Sequence, residues 1–129
     1  MTPSTPSIGH IHALQSKLQD IFAEGLDARF ARHRAIAKLT HEWVKKNGFE
    51  LFPEPKFASV TLSCVRNTRN IDVPKMIETL KSKYACVIDG GYGKLKGNTF
   101  RISHMGDETP ATVKLLLEWL DDCLQSVSP

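Results

Sequence analysis

Four apolar stripes at helical spacing are separated by strand candidates only a few residues long, and that alternation limits the fold more than any other feature. Ile8, Ile11, Leu14, Leu18, Ile21 and Phe22 recur at three- and four-residue steps, and Gly25 closes the stripe. A second helix is predicted from about Leu26 to Asn47, with Phe30, Ile36, Ala37, Leu39, Trp43 and Val44 on its buried side and Asn47-Gly48 as its stop signal. Val73, Met76, Ile77, Leu80 and Tyr84 mark a third, with Asp72 as N-cap and Pro74 in the first turn. Thr109-Pro110 starts a fourth, whose apolar face is Val113, Leu116, Leu117, Leu120 and Leu124. Phe49–Phe52, Ser59–Val65, Ala85–Asp89 and Thr99–Ser103 read as strands. In the second of these, Val60, Leu62 and Cys64 are expected to point inward and Thr61 and Ser63 outward. The order ααββαββα predicts an α/β domain of the α+β type: a small, mainly antiparallel sheet with helices on one face.

The chain has 129 residues, enough to bury a single core without disulfides or a metal. A net charge of +3 is too small, and too interrupted by Asp27 and Glu42, to mark a nucleic-acid partner. Cys64, Cys86 and Cys123 are odd in number and contain no C-x-x-C pair, so neither a disulfide framework nor a zinc site is expected. No apolar run is long enough to span a membrane, and Met1 to Ser7 lacks the basic and apolar regions of a signal peptide. These features predict a cytoplasmic protein with no membrane partner.

The most distinctive chemistry lies between Gly90 and Gly106. Gly90-Gly91-Tyr92-Gly93-Lys94-Leu95-Lys96-Gly97 runs into the Thr99–Ser103 strand, which carries Arg101. A guanidinium is a fixed cation with a planar fork of donors that grips a carboxylate through two parallel hydrogen bonds. The loop is either the rim of a small-acid site or a flexible connection with solvent-facing lysines. It is not a nucleotide fingerprint. The P-loop pattern is absent, Lys96 stands where a dinucleotide fold needs its third glycine, and a strand follows rather than a helix. An RNA-binding sheet needs exposed aromatics, and Asn98 and Arg101 stand where that motif has other residues. His10 and His12 point to different sides of their helix, His33 and His41 are expected at the surface or partly buried, and His104 reads as a turn histidine. No nucleophile–base constellation is present.

Glu24-Gly25-Leu26-Asp27-Ala28-Arg29-Phe30-Ala31-Arg32-His33-Arg34 resembles the E-G-L-x-x-R-[FW]-x-R-H-R segment of class V pyridoxal-phosphate aminotransferases, in particular the alanine–glyoxylate and serine–pyruvate group. Gly48 to Phe52 resembles that group's G-[FL]-x-L-F segment. Gly90 to Gly106 resembles its G-G-x-G-x-L-K-G-x-x-[FL]-R-I-G-H-M-G signature. The resemblance covers nearly the whole chain. It implies the small domain of fold-type I pyridoxal-phosphate enzymes, a dimer, and Arg101 as the group that binds the substrate α-carboxylate. It also implies that Thr5 reaches the cofactor phosphate of the neighbouring subunit. Thr2 stands where the family has tyrosine, and Ser103 where glycine is commoner. The lysine that forms the Schiff base lies in the family's large domain, and no lysine here matches its motif.

The expectation is therefore an arm over residues 1–7, a small domain over 8–125 and a frayed tail over 126–129. With a large domain it would serve transamination between a small α-amino acid and a 2-oxo acid such as glyoxylate or pyruvate. Alone it would be inactive and would self-associate through its N-terminal helix. A stand-alone carboxylate-binding or interaction module is the alternative, and no catalytic or metal-binding residue is assigned.

Overall fold

The computed structural model describes residues 5–127. The elements follow the expected order: α1 (Ile8–Glu24), α2 (Leu26–Lys46), β1 (Glu50–Leu51), β2 (Leu62–Arg66), α3 (Val73–Tyr84), β3 (Asp89–Gly90), β4 (Thr99–Ser103) and α4 (Pro110–Gln125). Short 3-10 turns occupy Pro55–Phe57 and Gly93–Leu95. The chain divides into two units, residues 1–31 and 32–129. Of the expected arm and tail, residues 1–4 and 128–129 lie outside the described residues.

In the first unit, no residue of α1 is buried. Its apolar stripe, including Ile8, Ile11, Leu14 and Phe22, faces outward. Gly25 ends the helix at φ 86°, and its N–H donates to the Ile21 carbonyl at 3.0 Å. Arg29 pairs with Glu24 at 2.9 Å across this turn. Phe30, expected on the buried side of α2, is exposed.

The second unit is built on a four-stranded sheet of order β1-β2-β4-β3 in which every neighbouring pair is antiparallel. The central pair sets Val65 opposite Phe100 and Ser63 opposite Ile102. These side chains point toward the helices, where Ile36, Trp43 and Val44 of α2, Met76 and Leu80 of α3, and Val113 and Leu120 of α4 join Val65, Phe100 and Ile102 in one core. Burial of these apolar groups is the main favourable term in folding. Phe49 meets Phe100 edge-on, with ring centroids 5.4 Å apart. Helices α2, α3 and α4 thus cover one face of the sheet, as expected.

The caps expected from the sequence form. The Asp72 carboxylate accepts from the Lys75 N–H at 3.0 Å. Thr109 and Thr112 exchange hydrogen bonds in a reciprocal cap at the start of α4.

Three further expectations are corrected. In β2 the inward face carries Ser63 and Val65, while Leu62 and Cys64 are half-buried on the opposite face and Val60 is exposed. A buried hydroxyl is tolerated when it is hydrogen-bonded, and Ser63 has a partner at 2.9 Å in His104. The Ala85–Asp89 strand shrinks to Asp89–Gly90, because Ala85 adopts the left-handed conformation that closes α3. His33, expected at the surface or partly buried, and His104, expected as a turn residue, are buried, at 7% and 0% exposure.

Phe100→Ala is expected to cost about 3–5 kcal/mol, because Phe100 is fully buried at the centre of the sheet. Val60→Ala, at an exposed site, should change stability by less than about 0.5 kcal/mol. Urea unfolding of both variants checks the contrast.

Candidate functional site

The register of the sheet places Arg101 at the centre of a cross-strand row on the face away from the helices. Cys64 of β2 lies opposite it on one side and Asp89 of β3 on the other. Directly opposed side chains in antiparallel strands are close enough to interact. Arg101 Nη2 donates to Asp89 Oδ2 in an ion pair. The Tyr92 ring lies against the guanidinium, whose carbon is 4.5 Å from the ring centroid, and the Tyr92 hydroxyl donates to the same Asp89 oxygen at 3.1 Å. Arg101 Nε is buried with no hydrogen-bond partner. The Tyr92 contact raises the Arg101 pKa first; burial opposes this and the Asp89 carboxylate adds to it, so the group stays cationic.

Arg101 and Asp89 border a cleft of about 590 Å³ whose lining also includes Leu62, Cys86, Ser103, Met105, Glu108 and Leu116. Leu62, on the outward face of β2, contributes to the apolar part of this lining together with Met105 and Leu116. Burial raises the Cys64 thiol pKa, and the nearby Arg101 only partly offsets it. Burial also raises the Cys86 pKa. Both thiols are therefore weak nucleophiles. The residues Asp89 and Tyr92 were not singled out from the sequence, because only the strand register brings them to Arg101.

The glycine-rich loop is held from beneath. Gly91 donates its N–H to the Thr99 carbonyl at 3.0 Å. A Cβ at Gly91 would stand 2.0 Å from the Leu95 carbonyl oxygen, so only glycine fits. Asn67, also missed from the sequence, donates its amide to the Gly97 and Ile71 carbonyls, each at 2.9 Å. Lys94 and Lys96 are exposed, as the solvent-facing reading of the loop anticipated.

The segments after Arg101 and along α2 clasp each other. The Arg32 guanidinium donates to the Gly106 carbonyl at 3.3 Å and to the Glu108 carbonyl. His33 Nδ1 lies 3.2 Å from the His104 carbonyl. A carbonyl only accepts, so this nitrogen carries the proton. His104 Nε2 bonds Ser63 Oγ, while His104 Nδ1 and His41 Nε2 are buried without partners. Burial lowers the His104 pKa, with His41 adding to the effect. Burial, then Lys45, lowers that of His41. Thr5, in the first unit, is exposed and lies outside any helix or strand. Among the described residues, no group of three or more His, Cys, Asp or Glu is placed to hold a metal ion. No helix among them is long and apolar enough to cross a membrane.

No protein-family model matches the chain. The chain is 37% identical over 105 residues to an uncharacterised aminotransferase of Methanocaldococcus jannaschii, covering 81% of this chain and 27% of that protein. It is 33% identical over 110 residues to the L-aspartate–glyoxylate aminotransferase of Paracoccus denitrificans, covering 84% of this chain and 28% of that one. The crystal structure of pyridoxamine–pyruvate aminotransferase from Mesorhizobium loti superposes with a TM-score of 0.88 at 28% identity, over 98% of this chain and 33% of that chain. The homologues of this chain are class V aminotransferases. The chain spans about a quarter of the length of these curated relatives, a share consistent with the C-terminal portion of such an enzyme. Its mixed α/β fold, with a four-stranded antiparallel sheet, is the one that this class uses.

The buried histidines make stability pH-dependent. Folding holds the His104 and His41 pKa values below the ordinary 6.5 of the unfolded chain. The unfolded chain then binds more protons as pH falls below that value. Stability from these groups is complete above pH 6.5 and is lost as pH falls toward the folded-state pKa values. Urea midpoints should drop between pH 7 and 5, about the ordinary histidine range, and His104→Gln should flatten that slope. A slope unchanged in the variant would refute the assignment to His104.

Proposed function

We propose that residues 8–125 form the small domain of a pyridoxal-phosphate-dependent transaminase acting on a small α-amino acid and a 2-oxo acid such as glyoxylate or pyruvate. In this reading Arg101 binds the substrate α-carboxylate. The observation that carries it is the position of this persistently cationic guanidinium, at the edge of a cleft on the open face of the sheet. The names of relatives support the substrate class, since one acts on L-aspartate and glyoxylate and another on serine and glyoxylate. A guanidinium that holds the carboxylate through two hydrogen bonds fixes the orientation of the α-carbon, and orientation of this kind lowers a reaction barrier by several kcal/mol.

The cofactor does not fit this cleft alone. Pyridoxal phosphate needs an amine to carry it, and no lysine lines the space around Arg101. The cleft supplies the substrate end of a site, and the lysine and ring-binding groups belong to a large domain in the same or another chain. Thr5 is assigned to the cofactor phosphate of a neighbouring subunit, within a homodimer. The absence of lysine from the cleft also favours a second reading, a carboxylate-binding module without chemistry.

The 129-residue chain mixed with pyridoxal phosphate is expected to show no transaminase turnover and no stoichiometric borohydride-trapped adduct at a single lysine. Turnover with specific trapping would refute the proposed inactivity. In a complete enzyme, Arg101→Lys should lower kcat/KM for the amino acid by about 10- to 100-fold, because a point charge cannot reproduce the planar fork. Unchanged kcat/KM would remove Arg101 from its role. Association through the exposed stripe of α1 predicts a dimer by light scattering that Leu14→Asp weakens. A monomer at high concentration would refute it.

A further inference from the structure

Arg101 does not wait empty for a ligand: it holds a carboxylate that belongs to its own chain. Asp89 faces it across the β3–β4 register and pairs with Nη2. Tyr92 closes the group by resting on the guanidinium and donating to the Asp89 oxygen. The Arg101 side chain is 26% exposed and that of Asp89 56%, so Asp89 is the more accessible of the two. An incoming carboxylate therefore has to exchange with one of identical charge and shape.

We infer that Asp89 makes the site selective for carboxylates that carry an ammonium group. The inference rests on the proposed role of Arg101. A 2-oxo acid that replaces Asp89 on the guanidinium forms one ion pair and breaks one, leaving Asp89 without its cation. An α-amino acid replaces the pair and also offers its ammonium to the displaced Asp89. Neighbouring strands lie about 4.8 Å apart, a spacing that a carboxylate and the ammonium one carbon away can bridge. Asp89 is thus a specificity residue that favours the amino donor over the 2-oxo acid at the same guanidinium.

Alanine and pyruvate differ only in that amino group, which makes them the probes. Each is titrated into the 129-residue chain, and the Arg101 Nε–H and Gly90 and Gly91 amide resonances are followed by NMR. The wild-type chain should bind alanine more tightly than pyruvate by about fivefold, the size of one exposed ion pair. Asp89→Asn should tighten pyruvate and erase the preference, and Arg101→Lys should abolish binding of both. Asp89→Ser gives the same readout if the first variant does not fold. An unchanged alanine-to-pyruvate ratio in the Asp89 variants, with binding still lost in Arg101→Lys, overturns the role of Asp89 and leaves that of Arg101 standing. No response of Arg101 to either probe, in wild type or Asp89→Asn, overturns the carboxylate assignment itself.

Discussion

The pairing of β2 with β4 is the constraint on which both the core and the cleft depend. Side chains alternate along β4, so Phe100 and Ile102 enter the core while Arg101 and Ser103 face the cleft. A slip of one residue would bury the guanidinium and expose the phenyl ring. Burying an unpaired cation is costly, so the energetics that fix the core also fix where Arg101 stands. The register is reinforced at both ends of the pair. Asn67 ties the turn after β2 to the loop before β4, and the His104 N–H donates to the Thr61 carbonyl at 3.0 Å.

Much of this was legible from local pattern. The four helices, their caps at Asp72 and Thr109, the strand bearing Arg101 and the order of elements all arise from periodicities and turn signals within a few residues of each other. The inverted face of β2 was not legible, for a physical reason. Leu62 lines a cleft and Cys64 lies half-buried beside Arg101, so these two outward positions read like core positions. The inward face includes Ser63, whose hydroxyl is satisfied by a residue 41 positions away. Asp89 and Tyr92 were missed because an ion pair across strands is a property of register. Asn67 reads locally only as the start of a polar turn, and its bond to the Gly97 carbonyl, 30 positions away, has no local signal.

Two of the three motif segments noted in the sequence meet in one contact. Arg32 and His33, from the R-H-R segment, hold the carbonyls of Gly106, Glu108 and His104 that follow Arg101. Their effect on the cleft is indirect: they fix the chain as it leaves β4, beside Ser103 and Met105. Burial lowers the pKa of His104, and that of His41, the opposite of the solution used for Arg101. A histidine can shed its proton when desolvated, whereas a guanidinium cannot, so Arg101 requires an anion and has one in Asp89.

That contrast bears on what the cleft can do. Its thiol Cys86, and Cys64 beside Arg101, are held protonated by burial. Asp89 is committed to Arg101, and Glu108 accepts from the Thr112 hydroxyl at 2.5 Å. No nitrogen base with a ready proton faces Arg101 in the cleft lining. In the proposed function this surface recognises and orients a charged ligand, with bond-making left to groups elsewhere. In the proposed transaminase this division is efficient: a rigid sheet register sets the direction of the substrate carboxylate, and the cofactor-bearing domain needs only to be aligned against it. Within this cleft, specificity between the two substrates of such an enzyme draws on charges next to the shared guanidinium. Asp89 is the nearest such charge, and its place opposite Arg101 is set by the same register that builds the core.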